Sequence, residues 1–243
     1  MDPCIVELPK FSIEDLFDAG VHFGHKTSRW NPGMSPYIHS VKNGLHVIDL
    51  RITHKLLKEA LAVLFRVAKR RGNILFVGTK PSIMEVVAEN AVRCGQYYVN
   101  HRWLGGTLTN WKTISRSIKK LENIEKILSD ESSLISYTKK ELLGLDKERH
   151  DLSLSFSGIR KMKNVPDLLV VLDCIKAQIA VMEARKLNIP VLAITDTNSD
   201  PRIVDYQVPG NDDSINSVKL YMRLFADAVL AGAYSNSVKE EKS

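Results

Sequence analysis

Cysteine is scarce in this sequence, and its scarcity argues against two classes of small fold. The 243 residues include three cysteines, Cys4, Cys94 and Cys174, which are far apart and form no CxxC pair. A zinc ribbon or a disulfide framework needs closely spaced or paired cysteines. The three thiols are therefore expected to be free, as in a reducing cytosol.

Long apolar runs and phosphate-binding signatures are also missing. No stretch approaches the roughly 20 apolar residues of a membrane span, and no secretory signal is visible, so the sequence predicts a cytoplasmic protein. Neither GxxxxGK[ST] nor GxGxxG occurs, and these are the glycine-rich loops that hold nucleotide phosphates. The aspartates that follow the apolar segments show no serine, cysteine or lysine nucleophile pattern. We therefore predict no catalytic site, no cofactor and no small-molecule substrate.

The charges that are present are unevenly distributed. Residues 1–111 carry 14 Lys/Arg against 9 Asp/Glu, residues 112–163 carry 12 against 8, and residues 164–243 carry 8 against 11. The net charge of +6 therefore arises in the first two thirds of the chain. Such an excess favours a polyanionic partner, although a lysine-rich cytosolic surface would produce the same composition.

Short apolar strands alternate with amphipathic helices along most of the chain. Strands are predicted at NILFVG (73–78), YYVN (97–100), LLVVLD (168–173) and IPVLAIT (189–195). The helices are predicted over IEDLFDA before Gly20, from Thr53 to a cap at Gly72, from Pro81 to Gly95, over IKAQIAVMEARKL, and from Ser214 to Ala231. This alternation is typical of an α/β fold, in which a parallel sheet carries helices on both faces.

The alternation breaks between residues 112 and 163, where two amphipathic helices are predicted. The first has one apolar stripe, made of Ile114, Ile118, Leu121, Ile124 and Leu128. The polar segment LSDESSLISY then predicts a turn, and Thr138 with Glu141 forms a capping-box pattern that opens the second helix. The second stripe has nearly heptad spacing: Leu142, Leu145, Leu152, Phe156 and Ile159. We interpret this segment as an inserted helical hairpin, since strand–helix alternation resumes after it.

Two other binding sites are compatible with the residues alone. His22 and His25 in VHFGHK could bind a metal ion together with Asp196 or Asp200, although HxxH also fits a structured turn. Thr79, at the start of the helix after FVG, could bind an anion through free backbone N–H groups, although an ordinary strand–helix turn explains it equally well.

Several longer segments carry a resemblance to a known family. FDAGVHFGHKTSRWNPGMSPYI, NGLHVIDL, GTK, YVNHRWLGGTLTNWKTI, EARKLNIPVLAITDTNSDP and VDYQVPGNDDSINSVKL occur in this order. Together they resemble the bacterial ribosomal protein S-two family, the second protein of the small ribosomal subunit. The resemblance extends from about residue 10 to residue 232.

The resemblance implies a flavodoxin-like (Rossmann-like) parallel sheet with an inserted α-helical coiled-coil hairpin. The α/β domain would comprise residues 1–111 and 164–232, the hairpin 112–163, and a disordered tail 233–243. It further implies a non-catalytic protein that binds small-subunit rRNA between head and body, contacts other small-subunit proteins and helps to dock ribosomal protein S-one. Gly33 and Ala177 depart from the family pattern, which usually has lysine and an acidic residue there. A Rossmann-like nucleotide-binding enzyme is the alternative.

The segment RWLGGT precedes the insertion and predicts a hinge. Trp103 can bury its ring against the α/β domain, while Gly105 and Gly106 turn the backbone into the hairpin. Thr107, Thr109 and Asn110 would then offer hydrogen bonds to RNA. The cations expected to contact rRNA phosphates lie in or beside the family-like segments: Lys26, Arg29, Lys42, Arg102, Lys112, Arg116, Lys119 and Lys120.

Overall fold

The computed structural model describes residues 8–130 and 137–240, with side chains up to residue 236. Most of the predicted turn between the hairpin helices, Cys4 and the last three residues of the predicted tail lie outside the described residues.

A five-stranded parallel sheet forms the centre of the protein, and it confirms the predicted fold class. Its strands are β4 (Ile74–Val77), β5 (Tyr97–Val99), β6 (Leu168–Val171), β7 (Val191–Thr195) and β8 (Tyr206–Pro209), in the spatial order β5-β4-β6-β7-β8. Counted within this sheet the order is 2-1-3-4-5, which is the flavodoxin-like arrangement. The last strand was not predicted, because its sequence YQVP lacks a run of apolar residues.

The two faces of the sheet bury separate apolar clusters, since successive strand residues point to opposite sides. Ile74 and Phe76 belong to the first cluster, whereas Leu75 and Val77 belong to the second. The first is covered by α1 (Ile13–Asp18), α2 (Leu50–Lys69), α3 (Met84–Arg93) and α7 (Ile215–Glu240). The second is covered by α6 (Gln178–Lys186) and by the base of the helical insertion.

A small antiparallel sheet, which the apolar pattern did not predict, lies beside the carboxyl end of β7. It consists of β1 (Phe23–Lys26), β2 (Ile38–Lys42) and β3 (Leu45–Ile48), in the order β1-β3-β2. Asn43 and Gly44 connect β2 to β3 with positive φ angles of 52° and 74°, as in the Asn-Gly turns of tight hairpins. The backbone N–H of His25 donates to Thr197 Oγ1 at 2.8 Å, which attaches this sheet to the main one.

Several helix ends differ from the prediction. Helix α2 begins at Leu50 because Asp49 caps it, accepting a hydrogen bond from the N–H of Arg51 at 2.9 Å. At its end Arg71, not Gly72, takes the left-handed conformation, with φ 58°. Pro81 lies in a turn before α3 rather than at its first position. Helix α7 continues past Ala231 to Glu240, through residues that were expected to form a disordered tail.

The insertion contains α4 (Trp111–Ser129) and α5 (Lys139–Phe156), which pack against each other. Trp111, at the start of α4, donates from Nε1 to the backbone oxygen of Lys163 at 3.1 Å, beyond the end of α5. Lys120, in the middle of α4, pairs with Glu148 in α5, so the helices run in opposite directions. The Thr138–Glu141 capping box is present as predicted. The coiled-coil geometry of the pair remains a prediction.

Candidate nucleic-acid interface

All eight cations predicted to bind RNA are exposed, and they form two groups on different elements. Lys26, Arg29 and Lys42 belong to the small antiparallel sheet and the loop after β1. The second group, which we call the hairpin cations, lies at the hinge and on α4: Arg102, Lys112, Arg116, Lys119 and Lys120. Among the described residues, Lys120 alone of the eight has an ion-pair partner, Glu148.

The small-sheet cations lie at one end of their sheet. Lys26 in β1 and Lys42 in β2 are both opposite Leu45 of β3 in the strand register. However, Lys26 and Arg29 also line a cavity of about 450 Å³, and Asp196 and Asp213 belong to the same lining. These carboxylates reduce the local positive potential, so this group is the weaker surface for an anion.

The hairpin cations follow helical geometry. Lys112, Arg116, Lys119 and Lys120 are spaced by four, three and one residues, which places them on one side of α4. The apolar residues Ile114, Ile118, Leu121 and Ile124 are buried on the other side. Because the cations stay in water, they are available for phosphate contacts.

The hinge has one buried ring and one left-handed glycine. The Trp103 side chain is 8% exposed and packs in the second apolar cluster, whereas Arg102 beside it is exposed. Gly106 has φ +88° and therefore needs to be glycine, but Gly105 has neither a positive φ nor a close neighbour. The hinge role itself remains a prediction.

The expected hydrogen-bonding role of two hinge threonines is wrong. The Thr107 hydroxyl is buried and donates to the backbone oxygen of Leu104 at 2.5 Å. The Thr109 hydroxyl donates to Glu183 at 3.2 Å. Both hydroxyl donors are used within the chain, so neither is free to donate to RNA.

Glu183 is the residue that holds the hinge, and the sequence analysis missed it. Its carboxylate accepts hydrogen bonds from Trp103 Nε1 at 3.1 Å, from the N–H groups of Gly106 at 2.8 Å, Leu108 at 2.9 Å and Thr109 at 3.1 Å, and from the Thr109 hydroxyl. Burial raises the pKa of this carboxyl, but the five donors outweigh it and hold the pKa below its usual value. Helix α6, which carries Glu183, therefore fixes the path of the chain into α4.

Replacing Glu183 with glutamine should lower the free energy of unfolding at pH 7 by about 1 to 3 kcal/mol. The amide nitrogen of glutamine cannot accept hydrogen bonds, so the donors that now bind one of the two carboxylate oxygens lose their acceptor. A carboxyl whose pKa is lower in the folded chain than in the unfolded chain stabilises the fold fully at a pH above the unfolded pKa. This stabilisation is lost as the pH falls through the folded pKa. The stability difference between the wild-type chain and Glu183→Gln should thus shrink below a pH of about 4.5. Urea unfolding from pH 3 to 7 measures this.

Glu89→Gln is the matched control, since Glu89 is exposed on α3 and its loss should change stability little at any pH. If the stability difference between the wild-type chain and Glu183→Gln were the same at all these pH values, the prediction of an ionised Glu183 in the hinge would be contradicted.

The crevice where flavodoxin-like sheets bind ligands is filled by side chains of this protein. It lies between β4 and β6, where the strand order reverses. Lys80, just after β4, places Nζ 3.0 Å from Asp173 Oδ2 after β6, 2.8 Å from Asp212 Oδ1 and 2.7 Å from Asp213 Oδ1. The helix start after FVG that could have bound an anion is thus beside three carboxylates, which would repel a phosphate.

The charged groups in this crevice shift one another's pKa values. Burial lowers the pKa of Lys80, but the carboxylates of Asp212, Asp213 and Asp173 outweigh it and hold that pKa above its usual value. Burial raises the pKa of Asp212 to about 7, with Asp196 adding to the effect and Lys80 opposing it. Asp212 and Asp213 thus serve as partners of Lys80.

The structure does not bring His22 and His25 together as a pair of metal ligands. The His22 ring stacks on Phe17, with ring centroids 4.5 Å apart. His25 lies 3.1 Å from Asp196 Oδ2 and 3.2 Å from Asp213 Oδ2, and its pairing with Asp196 raises its pKa. Within the described part of the chain, no group of three or more His, Cys, Asp or Glu side chains could hold a metal ion.

Exposed aromatic rings form a surface that the sequence did not indicate. Phe17 is 59% exposed and Phe23 is 52% exposed, and the His22 ring contacts both. We call these three residues the aromatic surface. Beside it is an open cavity of about 210 Å³ whose lining includes His39 and Arg51. Exposed apolar clusters of this kind mark interaction sites.

The two departures from the family pattern lie in packed positions. The Gly33 N–H donates to Asn31 Oδ1 at 2.8 Å, and a Cβ there would lie 3.3 Å from Pro201 Cδ. Ala177 is buried as the cap residue of α6, with no side-chain cap.

These features define a flavodoxin-like α/β protein whose ligand crevice is closed by its own ion pairs and whose exposed cations lie largely outside that crevice. None of the described helices has the length and apolar character needed to cross a membrane. Comparison with known proteins gives the family. The profile described as "Ribosomal protein S2" matches residues 16–232.

Individual relatives agree with this match. "Small ribosomal subunit protein uS2" of Rickettsia canadensis (strain McKiel) is 54% identical over 226 residues, which are 93% of this chain and 77% of the relative. The protein of the same name from Rickettsia akari (strain Hartford) is 55% identical over 221 residues, 91% of this chain and 75% of the relative.

The chain belongs to the ribosomal protein S2 family. Members of this family are structural, non-enzymatic components of the small ribosomal subunit. This confirms the expectation of a non-catalytic protein. The alternative of a nucleotide-binding enzyme is therefore wrong.

Proposed function

We propose that this chain binds small-subunit rRNA through phosphate and shape contacts and supports assembly of the small subunit in the cytoplasm. The observation that carries the proposal is the row of hairpin cations, which are exposed on one side of α4 and in the hinge beside it. Phosphate contacts position a protein on RNA without reading its bases. Glu183 fixes the direction of this row, because its carboxylate accepts hydrogen bonds from backbone N–H groups of the segment that leads into α4.

The same proposal includes the docking of ribosomal protein S-one, for which the aromatic surface is the best candidate. Its two phenylalanine rings are half exposed, and Phe17 and His22 line an apolar recess together with Val47, Ile48 and Leu50. Aromatic and aliphatic groups of this kind favour the apolar core of a protein–protein contact over a phosphate backbone. Arg51 and His39 supply a polar rim to the recess.

Sucrose-gradient sedimentation of a cell lysate tests both parts of the proposal. The wild-type chain should sediment with small subunits and S-one. Subunits carrying the double variant Phe17→Ala/Phe23→Ala should retain this chain and lose most of their S-one. Val41→Ala is the matched control, because Val41 is 54% exposed on β2 outside the aromatic surface, and it should retain both proteins.

Two results would contradict the proposal. Recovery of the wild-type chain only at the top of a low-salt gradient would exclude the role in the subunit. Loss of the double variant itself from subunits, with its fold intact, would make the aromatic surface an rRNA contact instead of the S-one site.

A further inference from the structure

Helix α4 carries two carboxylates among its cations, and a residue from outside the helix binds both of them. Arg160 follows α5, and its Nη2 lies 2.5 Å from Glu125 Oε2 while its Nε lies 3.5 Å from Glu122 Oε1. Glu122 and Glu125 are the only acidic residues of α4. One guanidinium thus holds both carboxylates of the helix that carries four of the five hairpin cations.

The turn that leads to Arg160 is attached to the α/β domain. Phe156 and Ile159 are 3% and 1% exposed in the second apolar cluster. Gly158 lies so close to β5 that a Cβ there would collide with the backbone oxygen of Tyr98. Arg160 therefore reaches α4 from a position that is fixed by the core of the protein.

Without Arg160, α4 itself offers Glu122 two other partners. Glu122 is three residues after Lys119 and four residues before Lys126, and side chains at these spacings meet on a helix. A glutamate four residues before a lysine is the more favourable order. Either pair would take a cation from the exposed side of α4. In the structure Lys119 and Lys126 are exposed, and neither has an ion-pair partner among the described residues.

The hairpin is not uniformly basic even with Arg160 in place. Three further carboxylates of its described part have partners on α4 or α5: Glu141 in the capping box, Asp146 with Arg149 and Glu148 with Lys120. Asp151 is exposed on α5, and Asp130 caps the far end of α4. Release of two more carboxylates would therefore lower the positive potential toward a polyanion considerably.

We infer that Arg160 is a positioning residue for RNA binding. By holding Glu122 and Glu125 it keeps Lys119 and Lys126 available for phosphate contacts. Exposed ion pairs contribute little to folding stability, so the main effect of Arg160 is on the charge that α4 presents. The inference rests on the proposed binding of rRNA by the hairpin cations, and it identifies what keeps cations on that side of α4 free.

A double-mutant cycle with small-subunit rRNA tests this role. Arg160→Gln should weaken binding at low salt by at least about threefold, since it releases two carboxylates beside the phosphate contacts. In the Glu122→Gln/Glu125→Gln background the same substitution should change binding by less than about twofold, because no carboxylate is left to hold. Arg149→Gln is the matched control: it removes the same charge but frees only Asp146 on α5, so it should also change binding by less than about twofold.

Three results would overturn the inference. Wild-type binding by Arg160→Gln would mean that its ion pairs do not affect RNA. Equal weakening in both backgrounds would make Arg160 a phosphate contact itself. A thermal midpoint lowered by Arg160→Gln but not by Arg149→Gln would make it a brace of the hairpin. If Arg102→Ala/Lys112→Ala also binds rRNA like the wild-type chain, the proposed function fails too; if that variant is weakened and Arg160→Gln is not, the inference fails alone.

Discussion

Trp103→Ala should lower the free energy of unfolding by about 3 to 5 kcal/mol, the usual cost of removing a large buried aromatic side chain. The ring is 8% exposed and packs in the cluster that contains Leu108 and Ile114. Its Nε1 donates to Glu183 at 3.1 Å, so the variant also leaves one oxygen of a buried carboxylate with one donor fewer. Urea unfolding followed by circular dichroism measures the loss.

The neighbouring residue provides the control for this prediction. Arg102 is exposed, so Arg102→Ala should change stability by less than about 0.5 kcal/mol. If Trp103→Ala instead kept its stability and selectively lost binding to rRNA, the ring would be a stacking contact with RNA and its role in the hinge would be wrong.

Deletion of residues 113–162 should abolish cooperative unfolding, although the sequence predicts that this segment is an insertion into the α/β domain. The segment contributes five buried residues to the apolar cluster that also contains Leu75 and Val77 of the sheet: Ile114, Ile118, Phe156, Ile159 and Met162. Removing them would expose the part of this face that α6 does not cover, and each lost core side chain costs several kcal/mol.

A shorter deletion is the matched comparison. Lys120 and Glu148 are in direct contact across α4 and α5, so a short glycine linker can join them after residues 121–147 are removed. This variant keeps the five core residues and should unfold cooperatively. If the 113–162 deletion instead unfolded cooperatively with the midpoint of the wild-type chain, the domain boundaries predicted from the sequence would be supported.

The central strands β4, β6 and β7 of the main sheet could be predicted because they are buried on both faces and therefore read as continuous apolar runs. Leu168–Val171 is an example, with all four residues 0% exposed. The small antiparallel sheet was missed because none of its strands is a continuous buried run and most of β2 is exposed. Its one clear signal was the Asn43-Gly44 pair, which is typical of a tight hairpin.

The interface was only partly accessible to sequence reasoning. The spacing of Lys112, Arg116 and Lys119 predicts one helix face, because helical geometry is local. Glu183 lies about 80 residues from the loop that it holds, and no local pattern links an acceptor to donors at that separation. The ion pairs of Lys80 with Asp173 and Asp212 are equally non-local.

The claim that phosphate contacts from the hairpin cations hold the RNA is tested most directly by the salt dependence of rRNA binding. Each phosphate contact contributes about −0.7 to −0.9 to the slope of log K against log salt concentration. Arg102→Ala/Lys112→Ala should therefore weaken binding and flatten the slope by roughly 1 to 2 units, with thermal stability nearly unchanged. Lys55→Ala/Lys58→Ala removes the same charge from the exposed side of α2, over the other face of the sheet, and should keep the wild-type slope. Equal slopes for all three proteins would contradict the account.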